Sequence, residues 1–360
     1  MSSASAPPSS SGTPAPPSNA PPSSSNGAPS APEAPSNPAQ GSTSGAGGTQ
    51  GSGDTGVGCT GASCEPAPVP VPAPTCSDAV RNQDEAGVDC GGSACLPCPC
   101  TYGTPELLGD PNYPGNGLYS PTLSPDGLTL LFGLYVGTAT ETIAFSTRTA
   151  ENQAFGLGNL LPGPIDASVE GTPRLAADNL TLYFYSERAG GLGGRDIYRA
   201  QRATPTANFD SITNLTEINS TALDHLPWVG VNQLSLYFTS DRAGNLDLYR
   251  SVRASITDPW GAPAPVSELN STVLENGATL TADEREILFV STRRGGLGDF
   301  FRAVRAPGET VFRAPEFLAE LSSPDEDSDP ALSADGTVLY FSSTRGGVDS
   351  RIWRVSRTCP

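Results

Sequence analysis

LYFYSER (182–188), LYFTSDR (236–242), ILFVSTR (287–293) and LYFSSTR (339–345) are four versions of one strand-forming heptapeptide, and LLFGLYV (130–136) is a fifth that has diverged. Each is rich in β-formers and apolar on consecutive positions, as a strand packed on both faces must be. Upstream, each is preceded by an anchor: Pro121, Pro173, Pro227, Ala278 and Pro330, at intervals of 52, 54, 51 and 52 residues. Five residues after the anchors come Asp126-Gly127, Asp178-Asn179, Asn232-Gln233, Asp283-Glu284 and Asp335-Gly336. Such pairs favour tight hairpin turns because they tolerate positive φ. Downstream lies a Gly-rich loop such as AGGLGGRD (189–196), then a third strand: IYRAQR (197–202), LYRSVR (248–253), FFRAVR (300–305) or IWRVSR (352–357). The segments LTEINS (215–220), VSELNS (266–271) and LAELSS (318–323) are expected to supply a fourth. Four short strands in a period near fifty, with no helical pattern, describe the blade of a β-propeller. The fold class read here is all-β, a propeller of five four-stranded blades over 102–360, with six blades as the alternative.

Outward from the repeats, composition divides the rest. The 3 Trp, 10 Tyr and 12 Phe all lie at or after Tyr102, so the first hundred residues hold little to bury. Residues 1–57 are Ser, Pro, Gly, Ala, Asn and Thr with scarcely a charge, and eleven prolines fall between Pro7 and Pro38. Such a segment cannot offset its ordering entropy and reads as a disordered tether, or as a plain extension. No apolar run is long enough to span a membrane. The net charge of −18, with every one of the twenty basic residues an arginine, argues against a nucleic-acid partner. Met1 is followed by neither a basic nor an apolar targeting region.

Seven cysteines crowd into a module at 58–101: Cys59, Cys64, Cys76, Cys90, Cys95, Cys98 and Cys100. The eighth, Cys359, is the penultimate residue. A segment so poor in hydrophobic bulk needs a covalent framework, disulfide or metal. Only Cys95 and Cys98 have the knuckle spacing of a zinc site, which makes zinc the weaker reading. Seven half-cystines cannot all pair among themselves, so one of them, Cys100 by position, is expected to bond Cys359. Asp78, Asn82, Asp84, Glu85 and Asp89 offer hard oxygen ligands at short spacing for Ca²⁺; a solvated acidic loop has the same composition.

Two resemblances follow from these strings. CSDAVRNQDEAGVDCGGSACLPC (76–98) is similar to a short cysteine-rich module of bacterial surface proteins, which implies an oxidising compartment. The signal peptide or lipid anchor this requires is absent from the sequence. The repeated P-x-L-S-x-D-G-x-x-L-Y-F-x-S-x-R-x-G-G…D-I-Y, carried by Pro121–Gly127, Pro173–Tyr198, Pro227–Tyr249 and Pro330–Trp353, resembles the WD-like propeller repeat of the TolB type. That resemblance implies protein–protein contact in the cell envelope; with the cysteines, an extracytoplasmic location is expected, and the chain is expected to be a monomer.

Residues repeated in every blade answer a need every blade has. Arg188, Arg242, Arg293 and Arg345 close the second strand, and Asp196, Asp247 and Asp299 open the third. An Arg–Asp clamp on each Gly-rich loop is the expected role. Glu170, Asp224, Glu275 and Asp327 stand three residues before their anchors, where blade one has Leu118. They read either as an acidic propeller mouth, able to hold Ca²⁺ or receive a basic loop, or as acceptors for a neighbouring blade's backbone. His225, the only histidine, and Trp228 break the repetition beside Asp224, as do Tyr135, Arg174 and Trp260. No G-x-S-x-G elbow is present, and one histidine does not make a metal site. Two functions fit: a non-enzymatic scaffold docking a protein or cell-wall polymer, or a glycoside hydrolase using two of the mouth carboxylates. Equivalent carboxylates do not separate their pKa values, so the scaffold is the expected one.

Overall fold

A computed structural model of the chain describes residues 76–360, except 78, 82–83, 110–116, 137–139, 166–167 and 348. The described residues belong to one compact unit, Pro70–Pro360. The expected tether at 1–57, and Cys59 and Cys64, lie outside them.

Among the described residues every regular element is a strand, and the strands form five antiparallel sheets. The inner strands are Leu118–Leu123, Glu170–Leu175, Asp224–Val229, Glu275–Leu280 and Asp327–Leu332. Each pairs with the second strand of its own blade, and that with the third. The fold is a five-bladed β-propeller. Consecutive apolar residues now have a cause, because alternate side chains of each second strand enter two different blade interfaces. Leu182 and Phe184 pack with Leu131 and Ile143 of blade one, while Tyr183 packs with Leu236 and Phe238 of blade three. Five such apolar clusters fill the five interfaces.

The five first hairpins share one turn. Gly127, Asn179, Gln233, Glu284 and Gly336 have φ between 56° and 71°, and each donates its N–H to the carbonyl three residues earlier. The preceding Asp or Asn side chain caps the turn, as Asp178 Oδ1 does for the Leu180 N–H at 2.8 Å.

The fourth strands lie earlier than expected. They are two-residue pairs at Asn159–Leu160, Thr213–Asn214, Ala264–Pro265 and Glu316–Phe317. LTEINS and its equivalents are turns, in which the Ile218 and Asn219 N–H groups both bond Leu215 O. Side chains take over where pairing stops. Asn219 bonds both the N–H and the C=O of Ile197 at 2.9 Å, and Asn270 does the same for Leu248.

Blade five is completed from the other end of the fold. Thr101–Tyr102 and Glu106–Leu107 pair with the C-terminal strand Arg351–Thr358. The ring is therefore closed by main-chain hydrogen bonds between residues about 250 positions apart, and a Cys100–Cys359 disulfide adjoins that seam. Cys76–Cys95 and Cys90–Cys98 hold the preceding module. The module rests on blade four, where Arg285 donates to Gly92 O and Cys95 O and Arg302 to Cys98 O. Arg302 and Arg357 share the buried Glu286 carboxylate, at 2.7 and 2.5 Å.

Candidate functional site

Glu170, Asp224, Glu275 and Asp327 each begin an inner strand and are fully buried, so they do not form an open acidic mouth. Each is paired with the arginine that follows its own second strand: Arg188–Glu170 at 3.0 Å, Arg293–Glu275 at 3.1 Å, Arg345–Asp327 at 2.5 Å, and Arg242–Asp224. The guanidinium Nε donates to the serine two residues back, Ser186, Ser240, Ser291 or Ser343, at 2.9–3.0 Å. Its Nη2 reaches the connecting loop, as to Ile218 O at 2.8 Å in blade three. The backbone partner of the carboxylate is that same loop, through the N–H of Ser220, Ser271 or Ser323 at 2.6 Å, and not a neighbouring blade. Burial raises the Glu170 pKa. Beneath, each arginine lies over the Phe of the second strand and the aromatic of the third, Arg242 over Phe238 and Tyr249.

The expected Arg–Asp clamp is thereby corrected. Asp196 accepts the Leu192 and Gly193 N–H groups at 2.6 and 3.0 Å, and the Asn214 amide. It holds the Gly-rich loop by itself. Asp247 takes a bond from Asn245 at 3.3 Å, and Asp299 is 3.8 Å from Arg294. Both acids face the same serine across the sheet, Glu170 and Asp196 each opposite Ser186, and the inner-strand acid is the one that the arginine pairs with.

A second arginine ladder was not read from the sequence. Arg148, Arg202 and Arg253 donate to Gly127 O, Asn179 O and Gln233 O, pinning the first hairpin turn. They lie over Phe155, Phe209 and Trp260, as Arg305 lies over Phe312. The signal was present as an aromatic seven residues after each arginine. Trp260 is therefore a repeat position and not a unique one. Trp228 is buried at the interface of blades three and four, edge-on to Tyr237.

Where repetition stops, a cluster forms. Position two of each inner strand faces an equivalent position of the second, giving Tyr119↔Gly133, Gly171↔Tyr185 and His225↔Thr239. Blades one and two exchange large and small. A Cβ on Gly133 would lie 2.3 Å from the Tyr119 ring, and one on Gly171 would lie 2.6 Å from both Tyr119 Oη and the Tyr185 ring, so both glycines are needed. The two phenols donate to Glu141 Oε2, Tyr119 at 2.8 Å. Glu141 Oε1 accepts from Arg195 at 2.9 Å, and Arg195 also bonds Glu187 and lies over the Tyr185 ring at 4.4 Å. Tyr135, 38% exposed, packs on Tyr119 at 4.7 Å, and His225 stands edge-on to Tyr185 at 6.5 Å. Burial, then Glu141, pushes the Tyr119 and Tyr135 phenols up. His225 Nε2 is buried without a partner, and burial beside Arg195 pushes its pKa down to about 4. That neutral imidazole is no partner for Asp224, which belongs to Arg242. Of these residues, sequence reasoning had singled out only Tyr135 and His225.

Next to the cluster is the axial pocket. Every inner strand carries a bulge in which Ser120, Thr172, Leu226, Gly277 or Asp329 takes φ of 47–54°, and these five residues line the pocket with their neighbours. Its cavity volume is about 30 Å³, space for one or two water-sized occupants.

In the cysteine module Asp78 and Asn82 lie outside the described residues. Asp84 Oδ2 accepts the Ser93 N–H at 2.8 Å, the Ser93 side chain and then its N–H lower the Asp84 pKa, and Asp89 accepts the Ala79 N–H at 3.0 Å. Glu85 is buried. Among the described residues the group with metal-ligand spacing is Cys76, Glu85 and Cys95, and its two sulfurs are bonded to each other. No helix there is long and apolar enough to cross a membrane.

No protein-family profile matches the sequence, and no curated protein is significantly similar to it. Similar solved structures include TolB from Acinetobacter baumannii, at 15% identity and a TM-score of 0.43 over 72% of this chain. This chain spans 63% of that protein's length. A putative TolB from Agrobacterium tumefaciens has 15% identity and a TM-score of 0.44, over 73% of this chain and 88% of its own. An endo-arabinase from Bacteroides thetaiotaomicron has 12% identity and a TM-score of 0.49, over 72% and 97%.

Proposed function

We propose that this chain is an extracytoplasmic scaffold that docks a protein or cell-wall polymer on the propeller face carrying Tyr119, Tyr135, Glu141, Tyr185, Glu187 and Arg195. The observation supporting it is the exchange of Tyr and Gly across blades one and two, which builds a non-repeated aromatic and charged cluster. Tyr135 and Glu187 are its solvent-facing members. Aromatic rings beside an arginine and carboxylates suit a partner that offers both an apolar face and polar groups. The disulfides favour an oxidising compartment. A glycoside hydrolase would need two carboxylates in different environments facing one cleft, whereas the four inner-strand acids are each engaged by an arginine.

The test is capture from a cell-envelope extract by the full chain, alongside Tyr135→Ala and Arg195→Ala variants of unchanged melting temperature. A partner retained by the native chain and lost by both variants is expected. Hydrolysis of a glycan panel by the native chain, or retention undiminished by both variants, would overturn the reading.

A further inference from the structure

The axial pocket contains a positive charge with no partner. Arg174 occupies the fifth position of its inner strand, where the other blades have Thr122, Trp228, Thr279 and Ala331. Its Nε is buried and hydrogen-bonded to nothing, and among the described residues no carboxylate is within ion-pair distance of its guanidinium. Its contact is with the face of Trp228, at 5.4 Å. Burial alone pushes its pKa down to about 10, so it stays charged at neutral pH. Two further donors lining the same pocket are buried and unpartnered: the Ser120 hydroxyl and the Trp228 indole N–H. A stranded donor is costly, and three around one cavity imply an occupant that accepts.

The carboxylate that lines the pocket, Asp329, is committed elsewhere. Its Oδ2 accepts the Ser120 N–H at 3.1 Å and is 3.4 Å from the Ser342 hydroxyl. Burial also raises its pKa, which weakens it as a counter-ion. A cation entering the pocket would meet Arg174. The space for a water-sized occupant, about 30 Å³, is enough for one halide-sized ion. Charge, donors and volume together select a small monovalent anion.

We infer that the propeller axis is a binding site for one halide-sized anion, held by the Arg174 guanidinium with the Trp228 indole N–H and the Ser120 hydroxyl. The site does not rest on the docking face proposed above. Because the anion binds only the assembled ring, it stabilises the folded state by mass action.

The experiment uses the full chain in gluconate buffer of fixed ionic strength, replaced stepwise by bromide, and follows the melting temperature. A saturable rise with bromide is expected, absent in Arg174→Met and needing several-fold more bromide in Trp228→Phe. Crystals of the native chain soaked in bromide should show an anomalous peak beside the guanidinium. A melting temperature indifferent to bromide, a rise that Arg174→Met retains, or no anomalous peak on the axis would each overturn the site. If Arg174→Met does not fold, the soak decides.

Discussion

Blades two to five are copies; blade one is not. In the copies an acid at the inner-strand start, a serine at the second-strand end and an arginine two residues on form one buried clamp. Blade one has Leu118 at the first position and Leu134 where the others have serine, and it places an apolar contact there. Its second hairpin is longer, with second and third strands of 8 residues each, and that extension brings Glu141 over to Tyr119 and Tyr185. The difference separates two kinds of polar residue. Those that recur close a hairpin, and those that do not recur make a surface unlike any other part of the ring.

The comparison would break most visibly at a clamp. Arg242→Met leaves Asp224 buried without its cation, and a loss of about 3–5 kcal/mol is expected in denaturant unfolding. Adding Asp224→Asn should recover part of it. A single variant that unfolds like the native chain would show that the clamp is dispensable. Opening the ring seam comes next. Cys359→Ser removes a cross-link between residues 259 apart, for which about 2–5 kcal/mol is expected under oxidising conditions, and nothing once the native chain is reduced.

The glycine exchange sharpens the other side. Gly133→Ala drives a methyl into the Tyr119 ring, with about 1–3 kcal/mol lost. On a Tyr119→Ala background the same change should cost little more than Tyr119→Ala alone, which also leaves Glu141 short of one donor. Additive losses in the double variant would show that the glycine is not there for the tyrosine. His225 makes a pH test. Its folded pKa lies below its unfolded value of 6.5, so the unfolded chain takes up the proton first. Stability is complete above about pH 6.5 and falls as pH drops toward 4. The His225→Gln variant should show a flatter unfolding midpoint across that window. The smallest stability effect is at Tyr135, where the Ala variant should change the midpoint by under about 1 kcal/mol while affecting partner capture.

Blade number was legible because each strand packs on both faces and each turn needs a residue at positive φ. Anchors near 52 residues apart follow from that geometry. The clamp was half legible. The spacing showed that Glu170 and Arg188 recur, yet it did not show that they are partners, since Asp196 recurs as well and is nearer in sequence. The Tyr–Gly exchange went unread because it appears as a defect in blade one's pattern, and only the cross-strand register turns two defects into one fit.

The sequence by itself determined the repeat, the strands, the hairpin turns and the acidic, cysteine-flanked character of the chain. These are local properties, set by neighbouring residues and their periodicity. Only the tertiary structure decided that the four acids are buried counter-ions, that Thr101–Tyr102 and Glu106–Leu107 complete the last blade, and that Glu141 joins two tyrosines from different blades. It also decided that Arg174 faces the axis without a partner. Each depends on closing a ring, which brings together residues that no sequence spacing relates.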